Sequence, residues 1–271
     1  MKNKKLVGDF FHSEVNDYKK EFYESNYRTF MSVRLQRFLE EVDLLNLENC
    51  TVLDAGCGPG YLTLAFLERG FKTTALDSSP EMLRLTNELI SNQNLETSIF
   101  ELVEGNIEEL PFDDNHFDLI ASAGVIEYLE NDEKVLNEFN RVLKPNGFLI
   151  LSSTNKLSPI GYLEPIIEMI KRVNVTRNIC NWFLTRLGGT PVRPRDFVVR
   201  KHSMAEFRAN TTLARFNVRN EGYFYGLPWP HPFDRVFPKS TSFLGTKIEY
   251  LKNTFFRVLF EGLYVVCQKK S

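Results

Sequence analysis

The spacing of hydrophobic positions changes several times along the chain, and each change predicts a secondary-structure element. In residues 10–47, apolar positions such as Val33 and Phe38 recur near the 3.6-residue period of a helix. From Thr51 to Ser152, short apolar runs alternate with helix-spaced segments. This alternation predicts a parallel sheet with helices on both of its faces.

The predicted strands and helices define one edge of that sheet as a binding edge. The strands are expected at 51–53, 71–76, 97–103, 117–122 and 148–152. The helices are expected at 61–69, 80–92 and 131–143, the second of them capped by Ser78 or Ser79. Right-handed crossovers bring the carboxyl ends of all these strands to one edge, where ligands bind.

The alternation stops after Asn155, and the rear of the chain follows no simple repeat. Residues 158–173 are predicted to form an amphipathic helix, and a short helix is expected from His202 to Phe207. Residues 222–246 are rich in glycine, proline and aromatic residues. The tail, from Glu261 to Gln268, alternates enough to predict a closing strand.

Composition excludes several classes of protein. The 271 residues are 43% hydrophobic and 25% charged, which is typical of a globular chain. The net charge of −2 argues against a nucleic-acid partner. No apolar run approaches the roughly 18 residues of a membrane span, and no apolar segment follows the basic start, so the cytoplasm is the expected location. The four cysteines form no C-x-x-C pair, so neither a zinc site nor a redox dithiol is expected.

The charge is distributed unevenly along the chain. Residues 160–220 hold 11 basic and 4 acidic side chains, whereas the first 159 residues are strongly acidic. Two interpretations remain open: two complementary surfaces that dock on each other, or a basic face for an anionic substrate or an anionic membrane.

The strongest chemical signal is the segment Val52–Gly60, which reads V-L-D-A-G-C-G-P-G. Its three glycines let the backbone approach a ligand between a strand and a helix N-terminus. A second acid, Asp77, ends the next strand, where a carboxylate can accept hydrogen bonds from ribose hydroxyls. A dinucleotide motif would need glycine at position 61, which is tyrosine, and the G-K-[ST] ending of a P-loop is absent. Asp54 would repel a pyrophosphate but suits a ligand with an ammonium group.

Together with three further segments, this motif resembles the class I S-adenosylmethionine-dependent methyltransferases. The resemblance is to the small-molecule group that includes the ubiquinone and menaquinone methyltransferases, and it covers about residues 50–155. The further segments are G-N-I-E-E-L-P-F-D-D-N-H-F-D-L-I (105–120), V-I-E-Y-L (125–129) and L-N-E-F-N-R-V-L-K-P-N-G (136–147). The resemblance implies an α/β fold with a Rossmann-like, doubly wound sheet. On this basis we divide the chain into a helical lid (1–48), a cofactor-binding core (49–155), an acceptor-binding insertion (156–250) and closing strands of the core sheet (251–271).

The resemblance also implies a cofactor, S-adenosylmethionine, and the residues that hold it. These are Arg34, Asp54, Gly56, Cys57, Gly58, Gly60, Asp77, Ser78, Asn106, Ile107 and Ala123. The glycine loop would hold the methionine part, Asp77 the ribose, and Asn106 the adenine. The family has aspartate where this chain has Asn106, whose carbonyl oxygen can still accept a hydrogen bond. Arg34 would bind the cofactor carboxylate or, alternatively, lie on a solvated helix face.

Candidate catalytic groups are few. Methyl transfer from a sulfonium is an in-line displacement, which needs a general base only when the acceptor is still protonated. Glu127, His202 and His231 are the candidates for a base or an acceptor-orienting group, and Tyr128 replaces a histidine common in the family. His116 is expected to be structural. No group of histidines and acids has the spacing of metal ligands, so no metal is expected.

The rear of the chain is expected to bind the acceptor. Its aromatic residues are candidates either for the wall of a pocket or for a cover over the sheet: Trp229, Phe233, Phe237 and Phe243. The helix at 158–173 would dip into a membrane interface or pack into the core. We favour a biosynthetic enzyme that methylates a small, anionic or aromatic acceptor at oxygen, with nitrogen as the alternative atom. The competing functions are methylation of a lipid-linked or quinone-like acceptor at the membrane surface and cofactor binding without turnover.

Overall fold

A seven-stranded mixed sheet forms the centre of the computed structural model, which describes residues 6, 29–93, 95–186, 197–226 and 238–271. The strands are β1 (Thr51–Ala55), β2 (Lys72–Asp77), β3 (Phe100–Glu104), β4 (Phe117–Ala123), β5 (Leu143–Thr154), β6 (Phe216–Phe224) and β7 (Gly262–Lys269). They lie in the order β3-β2-β1-β4-β5-β7-β6. The first five strands run parallel, and β7 runs antiparallel to both β5 and β6. The predicted α/β fold is therefore confirmed.

The helices pack on both faces of this sheet or extend from its edges. They are α1 (Phe30–Leu44), α2 (Tyr61–Glu68), α3 (Pro80–Ser91), α4 (Asp132–Val142), α5 (Pro159–Arg172), α6 (Asn174–Arg186), α7 (Met204–Leu213) and α8 (Pro238–Ile248). Local sequence sets several of their starts. Ser79 accepts a hydrogen bond from the amide of Met82 at the start of α3, and Ser203 forms a capping box with Glu206 at the start of α7.

The central strands are buried on both faces, and this explains their continuous apolar runs. In β1, which lies between β2 and β4, Val52, Leu53 and Ala55 are fully buried. A strand that is covered on both sides gains from apolar residues at consecutive positions rather than at alternate ones. Leu119 and Ile120 of β4 follow the same rule.

An edge strand of the sheet lies within the range 156–250, which the sequence analysis assigned to an acceptor-binding insertion. Phe216–Phe224 forms this strand, β6, beside β7. That this range binds an acceptor stays a prediction. The register shifts between Val218 and Asn220, and such an irregularity breaks the two-residue alternation by which a strand is recognised. The range 251–271 supplies one strand, β7, rather than the several closing strands expected there.

The pairing of the last three strands brings the rear segments to the binding edge. Thr154, the last residue of β5, and Phe224, the last residue of β6, both pair with Gly262 at the start of β7. The chain therefore leaves the sheet after β5 and after β6 at the same edge at which the carboxyl ends of β1, β2 and β4 lie.

The described part of the predicted lid is a packed helix. Phe38 and Val42 of α1 are buried, and the helix contacts strands of the sheet. The carboxylate of Glu41 accepts hydrogen bonds from Tyr264 Oη at 2.7 Å and from Asn220 Nδ2 at 2.8 Å. The predicted helix from residue 10 to residue 28 lies outside the described residues.

The predicted helix at 158–173 is confirmed as α5, and a second helix, α6, follows it directly. The sequence analysis did not anticipate α6. Within the described ranges, none of the helices combines the length and the apolar character that crossing a bilayer requires.

Candidate functional site

A pocket opens at the carboxyl edge of the sheet, among the ends of β1, β2 and β4. Ten of the eleven predicted cofactor residues line it, namely Arg34, Asp54, Gly56, Cys57, Gly58, Asp77, Ser78, Asn106, Ile107 and Ala123. The exception is Gly60, which is the N-cap of α2 and does not line the pocket. Residues that lie up to 89 positions apart in the sequence are thus brought together, from Arg34 to Ala123.

The glycine loop between β1 and α2 is held by backbone hydrogen bonds from the neighbouring strand. The amides of Gly56 and Cys57 donate to the carbonyl oxygen of Leu76 at 2.7 and 3.0 Å. Gly56 has a φ of 79°, and a Cβ at this position would overlap the side chain of Val125. Gly58 has a φ of 54°, and a Cβ there would face open space. Gly56 is therefore required for close packing, whereas Gly58 is required for its backbone conformation alone.

Asp77 is oriented by the loop and by the helix that follows it. Its Oδ2 accepts a hydrogen bond from the amide of Gly58 and its Oδ1 accepts one from the amide of Ser79, both at 2.9 Å. Burial raises the pKa of this carboxyl group, and the backbone amides oppose that shift. Carboxylate oxygens have further lone pairs, so Asp77 can also accept hydrogen bonds from a ligand in the pocket.

Asp54 is the more deeply buried of the two carboxyl groups. Thr63 Oγ1 donates a hydrogen bond to its Oδ2 at 2.6 Å. Burial raises the pKa of Asp54 to about 7, and the nearby charge of Asp77 acts in the same direction. A cationic ligand group beside Asp54 would stabilise its ionised form, because an opposite charge lowers the pKa of a carboxyl group.

Arg34 projects from α1 towards the turn after β4. Its side chain is buried, and its Nη2 lies 2.6 Å from the sulfur of Met31. Gly124, with a φ of 71°, gives the guanidinium room, since a Cβ at this position would overlap Arg34 Nη1. The alternative of a solvated helix face does not match this burial.

Three further lining residues border the loop and the strand ends. Asn106 Oδ1 accepts a hydrogen bond from the amide of Glu108 at 3.2 Å, which orients its side-chain amide. Ile107 is buried and gives the pocket an apolar surface. Burial and the charges of Asp54 and Asp77 raise the pKa of the Cys57 thiol well above its usual value, so this thiol stays protonated.

Neither Glu127 nor His202 lines the pocket. Glu127 is buried, and its Oε2 accepts hydrogen bonds from the amide and the hydroxyl of Thr154 at 2.7 and 2.8 Å. His202 is also buried, with Nδ1 2.7 Å from Ser153 Oγ and Nε2 2.9 Å from Asp132 Oδ2. The sequence analysis selected both residues as candidate bases or acceptor-orienting groups, but their side chains are buried and bonded to other protein groups.

These residues belong to what we call the junction network, which joins Glu127, Asp132, Ser153, Thr154, Arg200 and His202. Arg200 Nη2 donates to Asp132 Oδ1 at 2.7 Å, and Asn210 Nδ2 donates to Asp132 Oδ2 at 3.0 Å. Burial raises the pKa of Asp132, but hydrogen bonds from His202 and Arg200 outweigh this effect and lower it. The network connects the ends of β4 and β5 to the segment before α7.

The remaining candidates are partly outside the described residues. His231, Trp229, Phe233 and Phe237 lie there, so their positions stay predictions. Phe243 is 65% exposed and does not line the pocket. Among the residues that the structure describes, no cluster of histidine, cysteine and acidic side chains has the arrangement of a metal site.

The sequence analysis missed several residues of the pocket wall. They are chiefly apolar and come from α1, α2, α3 and the turn after β4, namely Met31, Leu35, Leu62, Met82, Val125, Tyr128 and Leu129. The segment V-I-E-Y-L was recognised as part of the family resemblance, but only Glu127 was selected from it. Its apolar members carried no chemical signal of their own.

Comparison with known proteins identifies the class of this domain. A family model for the methyltransferase domain matches residues 53–151. The demethylmenaquinone methyltransferase of Oceanobacillus iheyensis is 33% identical over 117 residues, 42% of this chain and 48% of the relative. The malonyl-[acyl-carrier protein] O-methyltransferase of Serratia marcescens is 32% identical over 157 residues, 58% of this chain and 56% of the relative.

A solved structure shares the fold over nearly the whole chain. The 1,6-didemethyltoxoflavin-N1-methyltransferase of Burkholderia thailandensis, which was solved with bound S-adenosylhomocysteine, superposes with a TM-score of 0.60. It is 15% identical, and the match covers 99% of this chain and 89% of that protein. This likeness supports the fold class.

These matches define residues 53–151 as a methyltransferase domain in a class I fold. They agree with the family resemblance over residues 53–151, and that resemblance implies S-adenosylmethionine as the cofactor. The chain spans about half the length of the two curated relatives. What the whole protein methylates is therefore a matter for proposal.

The pocket fits that cofactor chemically. S-adenosylmethionine carries an ammonium group, a carboxylate, two ribose hydroxyls and an apolar adenine face. The lining offers a buried acid (Asp54), a buried guanidinium (Arg34), an oriented carboxylate (Asp77) and an apolar side chain (Ile107). Each ligand group thus has a side chain of complementary chemistry in one pocket.

Proposed function

We propose that this protein transfers a methyl group from S-adenosylmethionine to a small-molecule acceptor at oxygen. The observation that carries the proposal is the pair Asp54 and Asp77, linked by the glycine loop at one pocket. The cofactor, when bound, supplies a methyl group that its sulfonium centre has already activated. The protein then has to bind the cofactor and the acceptor, align them and exclude water from them.

The lining residues divide this work among them. Asp77 would accept hydrogen bonds from the ribose hydroxyls, and Asp54 would favour the ammonium group. Arg34 would pair with the carboxylate, while Asn106 and Ile107 would border the adenine. The apolar wall, which includes Met31 and Val125, would exclude water from the reacting groups.

We assign Glu127 and His202 to positioning rather than to proton abstraction. Both side chains are engaged in the junction network, and the turn that carries Glu127 also carries Tyr128 and Leu129 of the pocket wall. An acceptor whose oxygen is already ionised needs no general base. The similarity to a malonyl-[acyl-carrier protein] O-methyltransferase supports an acceptor of this kind. His231 remains a candidate for orienting the acceptor.

Calorimetric titration with S-adenosylmethionine, S-adenosylhomocysteine and NADH tests the cofactor. We expect micromolar binding of the first two and no binding of NADH. Binding of NADH alone would overturn the proposal. Incubation of the bound protein with carboxylic and phenolic acceptors then separates an enzyme from a cofactor-binding protein, because only an enzyme converts S-adenosylmethionine to S-adenosylhomocysteine.

A lipid-linked or quinone-like acceptor is the second candidate. The exposed apolar side chains of α5 and α6 favour it, as does the similarity to a demethylmenaquinone methyltransferase. Methylation of a quinone precursor presented in detergent, but not of water-soluble phenols, would favour this acceptor class. The cytoplasmic location and the lack of a nucleic-acid partner remain predictions.

A further inference from the structure

Helix α5 presents an apolar stripe to solvent. Tyr162, Ile166, Met169 and Val173, which follows the last residue of the helix, are each at least half exposed, at 67, 52, 63 and 50%. Their spacing of four, three and four residues puts them on one face. Such a stripe faces the core in an ordinary surface helix, and its exposure therefore indicates a partner.

Helix α6 continues the same surface. Val175, Ile179, Trp182 and Phe183 are exposed by 67, 54, 50 and 56% and share one face. The α5–α6 hairpin, residues 159–186, thus has two exposed apolar stripes. Each of the two helices packs chiefly on the other.

Basic residues accompany these stripes. The hairpin holds four basic residues and two acids, and one of the bases, Lys171, is buried and paired with Glu168. The other three bases are Arg172, Arg177 and Arg186. The Arg186 guanidinium lies 4.2 Å from the centre of the Trp182 ring, and Arg177 bonds to the neutral side chain of Asn174. Exposed apolar residues flanked by tryptophan and arginine are typical of helices that lie in the interface of a bilayer.

The hairpin lies at the edge of the sheet that holds the cofactor pocket. It begins at Pro159, five residues after Thr154 ends β5 at the carboxyl edge. A second group of exposed apolar residues lies in the segment between β6 and β7, which leaves the sheet at this same edge. It includes Phe243, Tyr250, Phe255 and Phe256. The hairpin and this second group therefore both follow strands that end at the edge where the pocket opens.

We infer that the α5–α6 hairpin docks on an anionic lipid bilayer and brings the pocket to an amphiphilic acceptor in that membrane. The acceptor part of this inference rests on the proposed methyl transfer, whereas the docking part does not. Charge decides between a bilayer and a second copy of the chain. A two-fold dimer through the hairpin would bring two segments of net positive charge together, whereas anionic headgroups attract them.

Flotation of the full-length protein with lipid vesicles tests the inference. We expect it to float with vesicles of phosphatidylcholine and phosphatidylglycerol, and to float far less with phosphatidylcholine alone. Trp182→Ala with Phe183→Ala should reduce the bound fraction at least about tenfold, because it removes the two aromatic anchors. Arg177→Glu with Arg186→Glu should reduce it about tenfold at low salt.

A matched control comes from the opposite edge of the sheet. Leu44 and Leu213 are 71 and 81% exposed and lie near the amino-terminal ends of β1 and β6. Leu44→Ser with Leu213→Ser should leave flotation unchanged. Lys72→Glu with Arg219→Glu is the corresponding charge control, since both residues are exposed outside the hairpin.

Three results would overturn the inference. One is no flotation on anionic vesicles, and another is equal flotation of the wild-type and hairpin variants. The third is a wild-type dimer, detected by light scattering, that the hairpin variants convert to a monomer. Calorimetry with S-adenosylmethionine on every variant separates this result from the proposed function, because cofactor binding should persist whether or not docking occurs.

Discussion

The two halves of the binding edge differ in where their polar groups lie. On the cofactor side, Asp54 is buried and Asp77 is half-buried, and both accept hydrogen bonds from hydroxyl or backbone donors. On the acceptor side, the α5–α6 hairpin exposes apolar side chains and flanks them with bases. The first arrangement is complete within the chain, whereas the second needs a partner outside it.

The difference shows how this fold separates binding of the cofactor from the proposed binding of the acceptor. The acidic residues expected to hold the cofactor, Asp54 and Asp77, lie at the carboxyl ends of parallel strands, and the sheet sets the distance between them. The segments that we propose to bind the acceptor follow β5 and β6.

The junction network lies between the two halves. It ties the segment before α7 to the ends of β4 and β5 through His202, Ser153 and Glu127. If the two halves are energetically separate, damage to this network should reduce stability and leave cofactor affinity intact.

Asp132→Ala should have the largest effect on stability. It leaves His202, Arg200 and Asn210 without their shared carboxylate. Removal of one partner of a buried ionic group costs about 3–5 kcal/mol of the free energy of unfolding. Chemical denaturation measures the loss, and calorimetry should show unchanged affinity for S-adenosylmethionine. Glu133→Ala, which changes the exposed acid next to Asp132, is the control. A tenfold loss of affinity for S-adenosylmethionine in a stable Asp132 variant would show that the two halves are coupled.

Gly56→Ala should have the next largest effect, this time on the cofactor side. A positive φ is unfavourable for alanine, and its Cβ would also overlap the side chain of Val125. We therefore expect the free energy of unfolding to fall by about 3 kcal/mol. Gly58→Ala has the same backbone cost without the overlap and should lose about 1 kcal/mol. Thermal unfolding of the two variants measures the difference, and equal losses would show that contact with Val125 is not what requires Gly56.

Asp77→Ala should weaken binding of S-adenosylmethionine by about 1–3 kcal/mol, the range for hydrogen bonds to a charged group. Glu104→Gln supplies the control, because Glu104 pairs with Asp77 in the adjacent strand but is exposed and lies outside the pocket lining. Calorimetry on both variants compares them directly. Unchanged affinity in a folded Asp77 variant would refute the assignment of this residue to the ribose.

Asp54 should make the free energy of unfolding depend on pH. Its folded pKa of about 7 lies above the unfolded value of 3.8, so the folded state holds the proton more tightly between these values. The free energy of unfolding should therefore fall as pH rises from 4 to 7, by at most about 1.4 kcal/mol per pH unit. Urea unfolding of the protein and of Asp54→Asn measures this slope. A variant with the slope of the wild type would assign the pH dependence to another group, such as Asp77.

The amino-acid sequence by itself determined the cofactor half of this protein. Short apolar runs, caps such as Ser79 and the loop from Gly56 to Gly60 are local signals, and each acts within a few residues of where it is read. Because parallel strands end at a common edge, local signals were enough to bring Asp54 and Asp77 to one pocket, whereas Asn106 was selected through the family resemblance.

Only the tertiary structure decided the rest. Edge strand β6 escaped detection because its register shift breaks the alternation. The direction of the Glu127 and His202 side chains depends on Thr154, Ser153 and Asp132, which lie 27 to 70 residues away. The sequence analysis left open whether the helix at 158–173 packs into the core or dips into a membrane interface. Burial is a property of neighbours that are distant in the chain, and periodicity identifies a face without identifying what covers it.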